Sequence, residues 1–157
     1  MDDSRLKFAA DEMLGSLARW LRILGYDTTY EKDMDDAEIL RLANAEDRIL
    51  LTRDKDLVRK AKGRGLYIDS DDLSEQLSQV FERFDLVMDE ARTRCTMCNG
   101  NLAVVRPDEV RGSVPEGALE NNDEFYRCTK CGKIYWKGSH WNNILDRLSS
   151  LDYKEKG

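Results

Sequence analysis

The sequence predicts an α/β domain with a mostly parallel sheet, followed by a smaller module built around four cysteines. Over the first ninety residues, short apolar runs alternate with helical periodicity, which is typical of strand–helix–strand crossovers. All four cysteines come later, in two Cys-x-x-Cys pairs. Residues 1–90 hold 14 Lys and Arg against 22 Asp and Glu, a net of −8, whereas residues 91–157 hold 11 against 9, a net of +2. We therefore expect two domains, 1–90 and 91–157, with the boundary near Asp89–Thr93.

The elements of the first domain follow from apolar spacing and from capping residues. Strands are expected at Leu6–Ala10, Asp27–Glu31, Arg48–Thr52 and Gly65–Ile68. Helices are expected from Leu14 to Leu24, from Asp35 to Asp47, from Lys55 to Lys62 and from Asp72 to Phe84. Gly25 stands where a C-terminal cap belongs. Asp35 and Asp72 are each followed three residues later by glutamate, which resembles a capping box.

The second module predicts two strands, at Leu102–Val105 and Phe125–Tyr126. Between them, Pro107–Asp123 is polar and contains both prolines of the chain, so we expect a loop or a loose hairpin there. A C-terminal helix is expected after Ser139, a plausible N-cap. Its apolar stripe is Trp141, Ile144, Leu145, Leu148 and Leu151.

The four cysteines predict a zinc site. Cys95 and Cys98 form one short step, Cys128 and Cys131 the other, and each step is followed closely by a glycine. Two sulfurs of one tight turn can reach the same metal, and four thiolates suit tetrahedral, structural zinc because they leave no open position for water. Two disulfides or a redox pair are the alternatives. The charged first residues and the lack of a long apolar run show no signal peptide, so we expect reduced cysteines and a cytoplasmic protein.

Several acids fall where the predicted strands end. Asp11 follows the first strand, Asp54 and Asp56 follow the third, and Asp35 and Asp36 open the helix between them. In parallel α/β sheets, ligand sites gather at the carboxyl ends of the strands. Carboxylates from separate segments repel one another unless a cation neutralises them, and Mg²⁺ or Mn²⁺ is the natural choice. The alternative is that these acids only cap helices and decorate turns.

The same residues carry a resemblance to a known family. Residues 8–14 (FAADEML) resemble the opening strand and first catalytic aspartate of PIN-domain ribonucleases, and residues 36–57 resemble the PIN segment with further acids. More specifically, the chain resembles the PIN-like Mut-seven C-terminal ribonuclease family, in which such a core precedes a four-cysteine zinc ribbon. Three stretches match it: residues 11–22 (DEMLGSLARWLR), 51–56 (LTRDKD) and 135–141 (YWKGSHW). The resemblance implies a PIN-like three-layer sandwich followed by a Cys₄ zinc ribbon and a C-terminal helix.

The resemblance also implies metal-dependent cleavage of RNA. On that basis Asp11, Asp36 and Asp54 are the Mg²⁺ or Mn²⁺ ligands, and Asp56 is a further ligand or orients a water molecule. Larger PIN domains place a catalytic glutamate on a helix between the first and second acids. Here 24 residues separate Asp11 from Asp36, and Glu12 is a possible substitute, as is Asp35.

Basic and aromatic residues are candidates for contact with RNA. Arg19 and Arg22 lie on the first helix, and Arg53 with Lys55 opens a basic run that extends to Arg64. Such a run can follow phosphates, and a solvated helix face is the alternative. In the ribbon, lysines interleave with aromatic rings that can stack on bases, or that simply form a small core. The ribbon candidates are Lys133, Trp136 and Lys137.

The function expected from these observations is a metal-dependent endoribonuclease, with the ribbon as a docking module for RNA or the ribosome. Ribosomal RNA is an expectation by analogy with a ribosome-biogenesis endonuclease that also joins a PIN domain to a zinc ribbon. The net charge of −6 does not by itself indicate a nucleic-acid binder. The alternative is a non-catalytic protein that binds RNA or a ribonucleoprotein with the same surfaces.

Overall fold

The computed structural model describes residues 6–87 and 92–138, together with residue 146. The chain divides into two compact units, Met1–Asn99 and Gly100–Gly157. Residues 88–91, which hold most of the expected domain boundary, lie outside the described residues. The same is true of Ser139 and of the apolar stripe of the expected C-terminal helix. Within the described ranges, no helix combines the length and the apolar character needed to cross a membrane.

The first unit contains a four-stranded parallel sheet. Its strands are β1 (Lys7–Ala10), β2 (Asp27–Tyr30), β3 (Ile49–Thr52) and β4 (Gly65–Tyr67), in the order β2-β1-β3-β4. Its helices are α1 (Gly15–Leu24), α2 (Asp36–Ala45), α3 (Lys55–Lys60) and α4 (Leu73–Phe84). Each lies within two residues of its expected bounds. The alternating strands and helices therefore give the crossovers that the sequence predicts.

Helices flank this sheet on both faces, because successive residues of a strand point to opposite sides. Ala9 and Leu50 are fully buried in one cluster with Ile39 of α2 and Leu57 of α3. On the opposite face, the ring of Phe8 meets that of Phe84 in α4 at 5.6 Å between centroids, and α4 contacts α1. The α/β fold with a parallel sheet between helical layers is confirmed.

Local capping explains where the helices begin and end. Asp35 accepts a hydrogen bond from the backbone N–H of Glu38, whose carboxylate accepts from the backbone N–H of Asp35, so the predicted capping box is present. Gly25 ends α1 with a φ of 105°, a left-handed conformation that glycine adopts without steric cost. The end of α1 and the start of α2 are thus fixed by residues at those positions in the sequence.

The second unit contains a three-stranded antiparallel sheet. Its strands are β5 (Leu102–Val105), β6 (Phe125–Cys128) and β7 (Ile134–Trp136), in the order β5-β6-β7. The sequence predicted β5 and β6. Strand β7 was not predicted, because its three residues are too few for a periodic signal.

The segment Pro107–Asp123 differs from the loop or hairpin predicted for it. It contains a 3₁₀ turn, Pro107–Glu109, and a short helix α5, Glu116–Asn121. The proline before α5 has a φ of −62°, already suited to a helix start. Both prolines therefore begin helical turns here, whereas the sequence predicts a loop or a loose hairpin.

Candidate active site and cysteine cluster

The strand order places a topological switch at the carboxyl ends of β1 and β3. The chain passes from β1 to β2 on one side and returns to place β3 on the other side of β1. Ligands of open α/β sheets bind in the crevice formed at such a point. Asp11 directly follows β1, and its backbone N–H donates to the carbonyl of Leu51 in β3 at 3.0 Å. Asp54 stands two residues after β3, so both acids belong to this edge of the sheet.

Thr52 links these two acidic segments. Its hydroxyl donates to Asp11 Oδ2 at 2.8 Å and accepts from the backbone N–H of Asp54 at 3.0 Å. The threonine side chain is fully buried at the end of β3. Asp11 Oδ1 in turn accepts from the backbone N–H of Glu12 at 2.8 Å. The carboxylate of Asp11 is therefore held from both sides.

Asp54 and Asp56, the two acids that follow β3, each have a partner within α3. Asp54 caps α3, since its Oδ1 accepts from the backbone N–H groups of Asp56 at 2.9 Å and Leu57 at 3.3 Å. Asp56 is exposed and forms an ion pair with Arg59, three residues along the helix. Arg59 belongs to the predicted basic run, so part of that run is engaged with carboxylates rather than open to phosphate.

Asp36 is the exposed first residue of α2. Its neighbour Asp35, considered as a substitute for the missing glutamate, is committed to the capping box of α2. Glu12, the other substitute, is exposed in the 3₁₀ turn Glu12–Leu14 beside Asp11. Of the two, only Glu12 directly adjoins Asp11.

The acids do not form a compact ligand group. Among the residues that the structure describes, the only group of three or more His, Cys, Asp and Glu side chains with ligand atoms within 4.8 Å of one another is the set of four cysteines. The donor chemistry of the acidic edge, carboxylates beside a hydroxyl, nevertheless suits a hard cation such as Mg²⁺ or Mn²⁺. Asp11 and Asp54 share the same edge and the same threonine, whereas Asp36 and Asp56 each stand in the first turn of a helix.

Two residues at strand ends support this edge and were not among the predicted site residues. Thr52 is the last residue of β3, and Tyr30 is the last residue of β2. The hydroxyl of Tyr30 donates to the backbone carbonyl of Glu12 at 2.7 Å. A Cβ added at Gly15 would lie 2.9 Å from that hydroxyl, so the glycine leaves room for the ring. The sequence contains a hint of both residues, because a polar residue at the end of a buried parallel strand lies at the carboxyl edge of the sheet.

The basic residues predicted to contact RNA in the first unit divide into two kinds. Arg19 is exposed on α1, and Lys55 at the start of α3 places its ammonium 5.4 Å from the ring centroid of Tyr67. Arg53 is half-buried and donates to the carbonyl of Ile68 at 3.4 Å. These three side chains remain candidates for phosphate contact.

Arg22 has a structural position instead. It is 5% exposed, and its guanidinium donates to the backbone carbonyls of Thr28 at 2.8 Å and Thr96 at 2.7 Å. Burial lowers its pKa below its usual range, although nearby negative groups act in the opposite direction. Because its donors are engaged on carbonyls inside the protein, we do not include Arg22 among the RNA contacts proposed below.

The aromatic residues of the ribbon are paired with lysines. Lys133 lies over the ring of Tyr135 at 5.5 Å, and Lys137 over the ring of Tyr126 at 5.7 Å. The half-buried ring of Trp136 packs against Phe125, with 6.1 Å between centroids. The sequence predicts that Trp136 and Lys137 are exposed, but both are half-buried, and Trp136 is partly a core residue of this small sheet; Lys133 is exposed.

The four cysteines form the compact group that their spacing predicts. Their sulfurs all lie within 4.8 Å of one another, and none of the four is in a disulfide. A tetrahedral site with Zn–S bonds of about 2.3 Å needs sulfurs roughly 3.8 Å apart. Cys128 Sγ also accepts from the backbone N–H groups of Lys130 at 3.3 Å and Cys131 at 3.4 Å, which is favourable for a thiolate. The donor set and its geometry therefore fit a structural zinc ion.

Comparison with known families agrees with this arrangement. Residues 6–148 match the family model described as the Mut7-C RNAse domain. The chain belongs to this family. The match spans both units, so the α/β core and the four-cysteine module are parts of one family pattern, as the sequence resemblance implied. Searches of curated proteins and of solved structures found no match. Membership in an RNase domain family indicates a nuclease-like role that involves RNA.

Proposed function

We propose that this protein is a metal-dependent endoribonuclease that hydrolyses phosphodiesters at the carboxyl edge of its parallel sheet. The observation that carries the proposal is the Thr52 hydroxyl, which joins the carboxylate of Asp11 to the loop of Asp54 at the topological switch. Carboxylates that bind a metal are usually held in one orientation by hydrogen bonds from residues that do not touch the metal. The buried hydroxyl of Thr52 is such a donor to Asp11. Membership in the Mut7-C RNAse domain family supports the same chemistry.

The proposed Mg²⁺ or Mn²⁺ ligands are Asp11, Asp36 and Asp54, with Asp56 as a fourth catalytic acid. When bound, such an ion supplies a Lewis acid for the scissile phosphate and lowers the pKa of water. The chain itself holds Asp11 in one orientation through Thr52 and through the backbone N–H of Glu12. The residues around Asp11 therefore contribute to the mechanism by holding its carboxylate in a fixed orientation.

RNA is proposed to approach along cationic side chains of both units. In the first unit the candidates are Arg19, Arg53 and Lys55, which are exposed or half-buried. In the ribbon, Lys133 and Lys137 supply charge, and the half-buried Trp136 supplies a ring for stacking. We further propose that the ribbon docks on structured RNA or on the ribosome, since it carries the more basic half of the sequence.

The test is cleavage of a mixed RNA pool in Mn²⁺ by the wild type, Asp11→Asn and Asp54→Asn. Each substitution keeps the size of the side chain and removes its charge. We expect each to lower cleavage by at least about 100-fold, because even the partners of metal ligands are worth about 10–100-fold. The control is Glu82→Gln, an exposed carboxylate on α4, which should cleave like the wild type. RNA affinity, measured by fluorescence anisotropy, should change far less than the rate.

A second candidate, a non-catalytic RNA-binding protein, is favoured by one observation. Asp56 is engaged with Arg59, and no three carboxylates of the described residues gather within ligating distance. The same experiment separates the two functions. RNA binding by the wild type without any cleavage above the level of Asp11→Asn would establish the binding protein and refute the nuclease.

A further inference from the structure

Strand β2 is an outer strand of the parallel sheet, and among the residues that the structure describes no strand pairs with its outer side in the order β2-β1-β3-β4. Backbone groups on such an edge need partners, because an open edge is a template for pairing with another chain. Thr28 lies in the middle of this strand and is fully buried. Its N–H donates to the side-chain oxygen of Asn99 at 3.1 Å, and its carbonyl accepts from Arg22 Nε at 2.8 Å. Side chains therefore close this edge where a strand would otherwise be needed.

Asn99 belongs to the first cysteine turn, Cys95–Asn99. Its backbone N–H donates to the carbonyl of Cys95 at 2.9 Å, which closes the turn. Its side-chain amide offers both groups of a peptide unit to β2, with the oxygen on the Thr28 N–H and the nitrogen on Asp27 Oδ1 at 2.7 Å. The residue has a φ of 70°, a conformation that asparagine tolerates better than most residues. The side-chain oxygen of Asn99 thus takes the place of one backbone carbonyl of a neighbouring strand.

Two arginines connect the same turn to the core of the first unit. Arg22 donates from Nη1 to the carbonyl of Thr96, inside the turn, while its Nε holds Thr28. The backbone N–H of Arg94 donates to the carbonyl of Arg22 at 2.8 Å, and Arg94 Nε donates to the carbonyl of Asn99 at 3.0 Å. A guanidinium is buried only where its donors are satisfied, so the burial of Arg22 depends on the turn keeping its shape.

We propose that the first cysteine turn is a zinc-dependent clamp on the open edge of β2. The turn that supplies two of the four thiolates also supplies the Thr96 carbonyl and the Asn99 amide that close this edge. Zinc binding and protection of the β2 edge are therefore thermodynamically linked. Linkage of this kind is reciprocal. If loss of zinc destabilises the contacts at the β2 edge by a certain factor, a change that breaks those contacts must lower the zinc affinity by the same factor. This role is separate from RNA cleavage and does not depend on it.

The test measures amide hydrogen exchange at Thr28 in the full-length protein, with zinc bound and after chelation under reducing conditions. We expect the Thr28 amide to exchange at least 10-fold faster without zinc. The internal control is the amide of Ile68, which donates to the carbonyl of Thr52 at the opposite side of the sheet. Its exchange should change less than twofold. A Thr28 amide that stays equally protected after zinc has been removed would refute the clamp, as would a chain that binds no zinc.

The reciprocal arm measures zinc affinity by competition with a chromogenic chelator. Asn99→Gly removes the amide and keeps a backbone that accepts positive φ, and we expect zinc affinity to fall about 10-fold. The control is Asn101→Ala, an exposed asparagine two residues away, which should bind zinc like the wild type. A second matched pair lies on α1. Arg22→Lys, at the buried position, should lower the zinc affinity, and Arg19→Lys, at the exposed position, should not. Equal zinc affinity in Asn99→Gly and the wild type would overturn the proposal.

Discussion

The cysteine cluster and the acidic edge of the sheet are both candidate metal sites, but they are built in different ways. The four sulfurs lie within 4.8 Å of one another. At the acidic edge, Asp11 is held by Thr52, Asp54 caps α3 and Asp56 is paired with Arg59. The cysteines come from two short turns. The acids come from strand ends and helix starts that are spread over the chain from Asp11 to Asp56.

The difference shows how the spacing of ligands along the chain affects the shape of a site. Two cysteines separated by two residues are brought together by a single tight turn, so only two turns must meet. The acids arrive from separate crossovers, and each has a local alternative as a helix cap, because aspartate is a strong N-cap residue. A site made of such residues depends on tertiary packing, and above all on buried groups such as Thr52 that connect the segments.

The largest effect expected from this comparison is loss of zinc in Cys128→Ser. Cys128 is buried and its sulfur accepts two backbone N–H groups. Since partners of ligands alone cost about 10–100-fold in affinity, loss of a ligand should cost at least about 100-fold. Zinc content after dialysis, measured by atomic absorption, checks this. Met97→Ser, an exposed change inside the first turn, is the control and should retain the metal. Equal retention in both variants would show that the cysteines are not the ligands.

A second prediction concerns Asp27, which ties the first cysteine turn to the core. Burial favours its neutral form, but hydrogen bonds from Arg48 and Asn99 and the charges of Arg48 and Arg94 outweigh burial, so its pKa lies below the usual 3.8. A carboxylate with a lowered pKa stabilises the folded state above the unfolded pKa, and this contribution is lost as the pH falls through the folded pKa. We expect Asp27→Asn to lower the free energy of unfolding by about 1.5–3 kcal/mol at pH 7.

Denaturation in urea at several pH values tests this prediction. The difference between the wild type and Asp27→Asn should be full at pH 6 and should shrink as the pH is lowered below about 4. Asp71→Asn, an exposed aspartate before α4, should match the wild type throughout. A difference that stays constant down to pH 3 would show that the charge of Asp27 is not what stabilises this region.

A third prediction sharpens the account of the acidic edge through Thr52→Val. Valine keeps the shape of threonine but leaves Asp11 Oδ2 and the Asp54 N–H without the hydroxyl that joins them. We expect cleavage, expressed as kcat/KM, to fall about 10–100-fold, while Thr52→Ser keeps most of the activity. Unfolding of each variant is measured in parallel. A fall in stability with unchanged kcat/KM would assign Thr52 to packing alone.

The smallest expected effect is on the salt dependence of RNA binding by Lys133→Ala/Lys137→Ala. If both lysines contact phosphates, the slope of log K against log salt for single-stranded RNA should decrease in magnitude by about 1.4, or about 0.7 for each contact. Binding titrations at several salt concentrations measure the slope. Arg111→Ala, an exposed cation of the same unit that is not among the predicted contacts, is the control. An unchanged slope in the double variant would remove the ribbon lysines from the proposed RNA surface.

Much of the fold could be predicted because its signals are local. The strand β1, the helix α1 with its Gly25 cap and the capping box at Asp35 all depend on residues only a few positions apart. The errors arose where local signals are weak or ambiguous. Strand β7 is three residues long, and the prolines of residues 107–123 start helical turns, although proline between apolar runs is typical of a loop.

The site was predicted less completely, because side-chain roles depend on what packs around them. Arg22 and Arg19 lie on the same helix and look equivalent in the sequence, yet Arg22 is buried on two carbonyls and Arg19 is exposed. In the sequence, Thr52 is one residue of a family-like stretch, and Tyr30 is one polar residue of a short strand. Nothing in the sequence states that the hydroxyl of Tyr30 reaches the Glu12 carbonyl, 18 residues away.

The parallel α/β core, its pairing with a four-cysteine module and the family of the chain all follow from the order of the residues. Each depends on spacings of a few residues, within which chain geometry leaves little freedom. The roles of Thr52, which joins Asp11 to the Asp54 loop, and of Asn99 and Arg22, which close the edge of β2, are visible only in the folded protein. The contact of Thr52 with Asp11 joins residues 41 positions apart, and that of Asn99 with Thr28 joins residues 71 positions apart. The contact of Arg22 with Thr28 depends on the burial of Arg22, so tertiary packing selects all three.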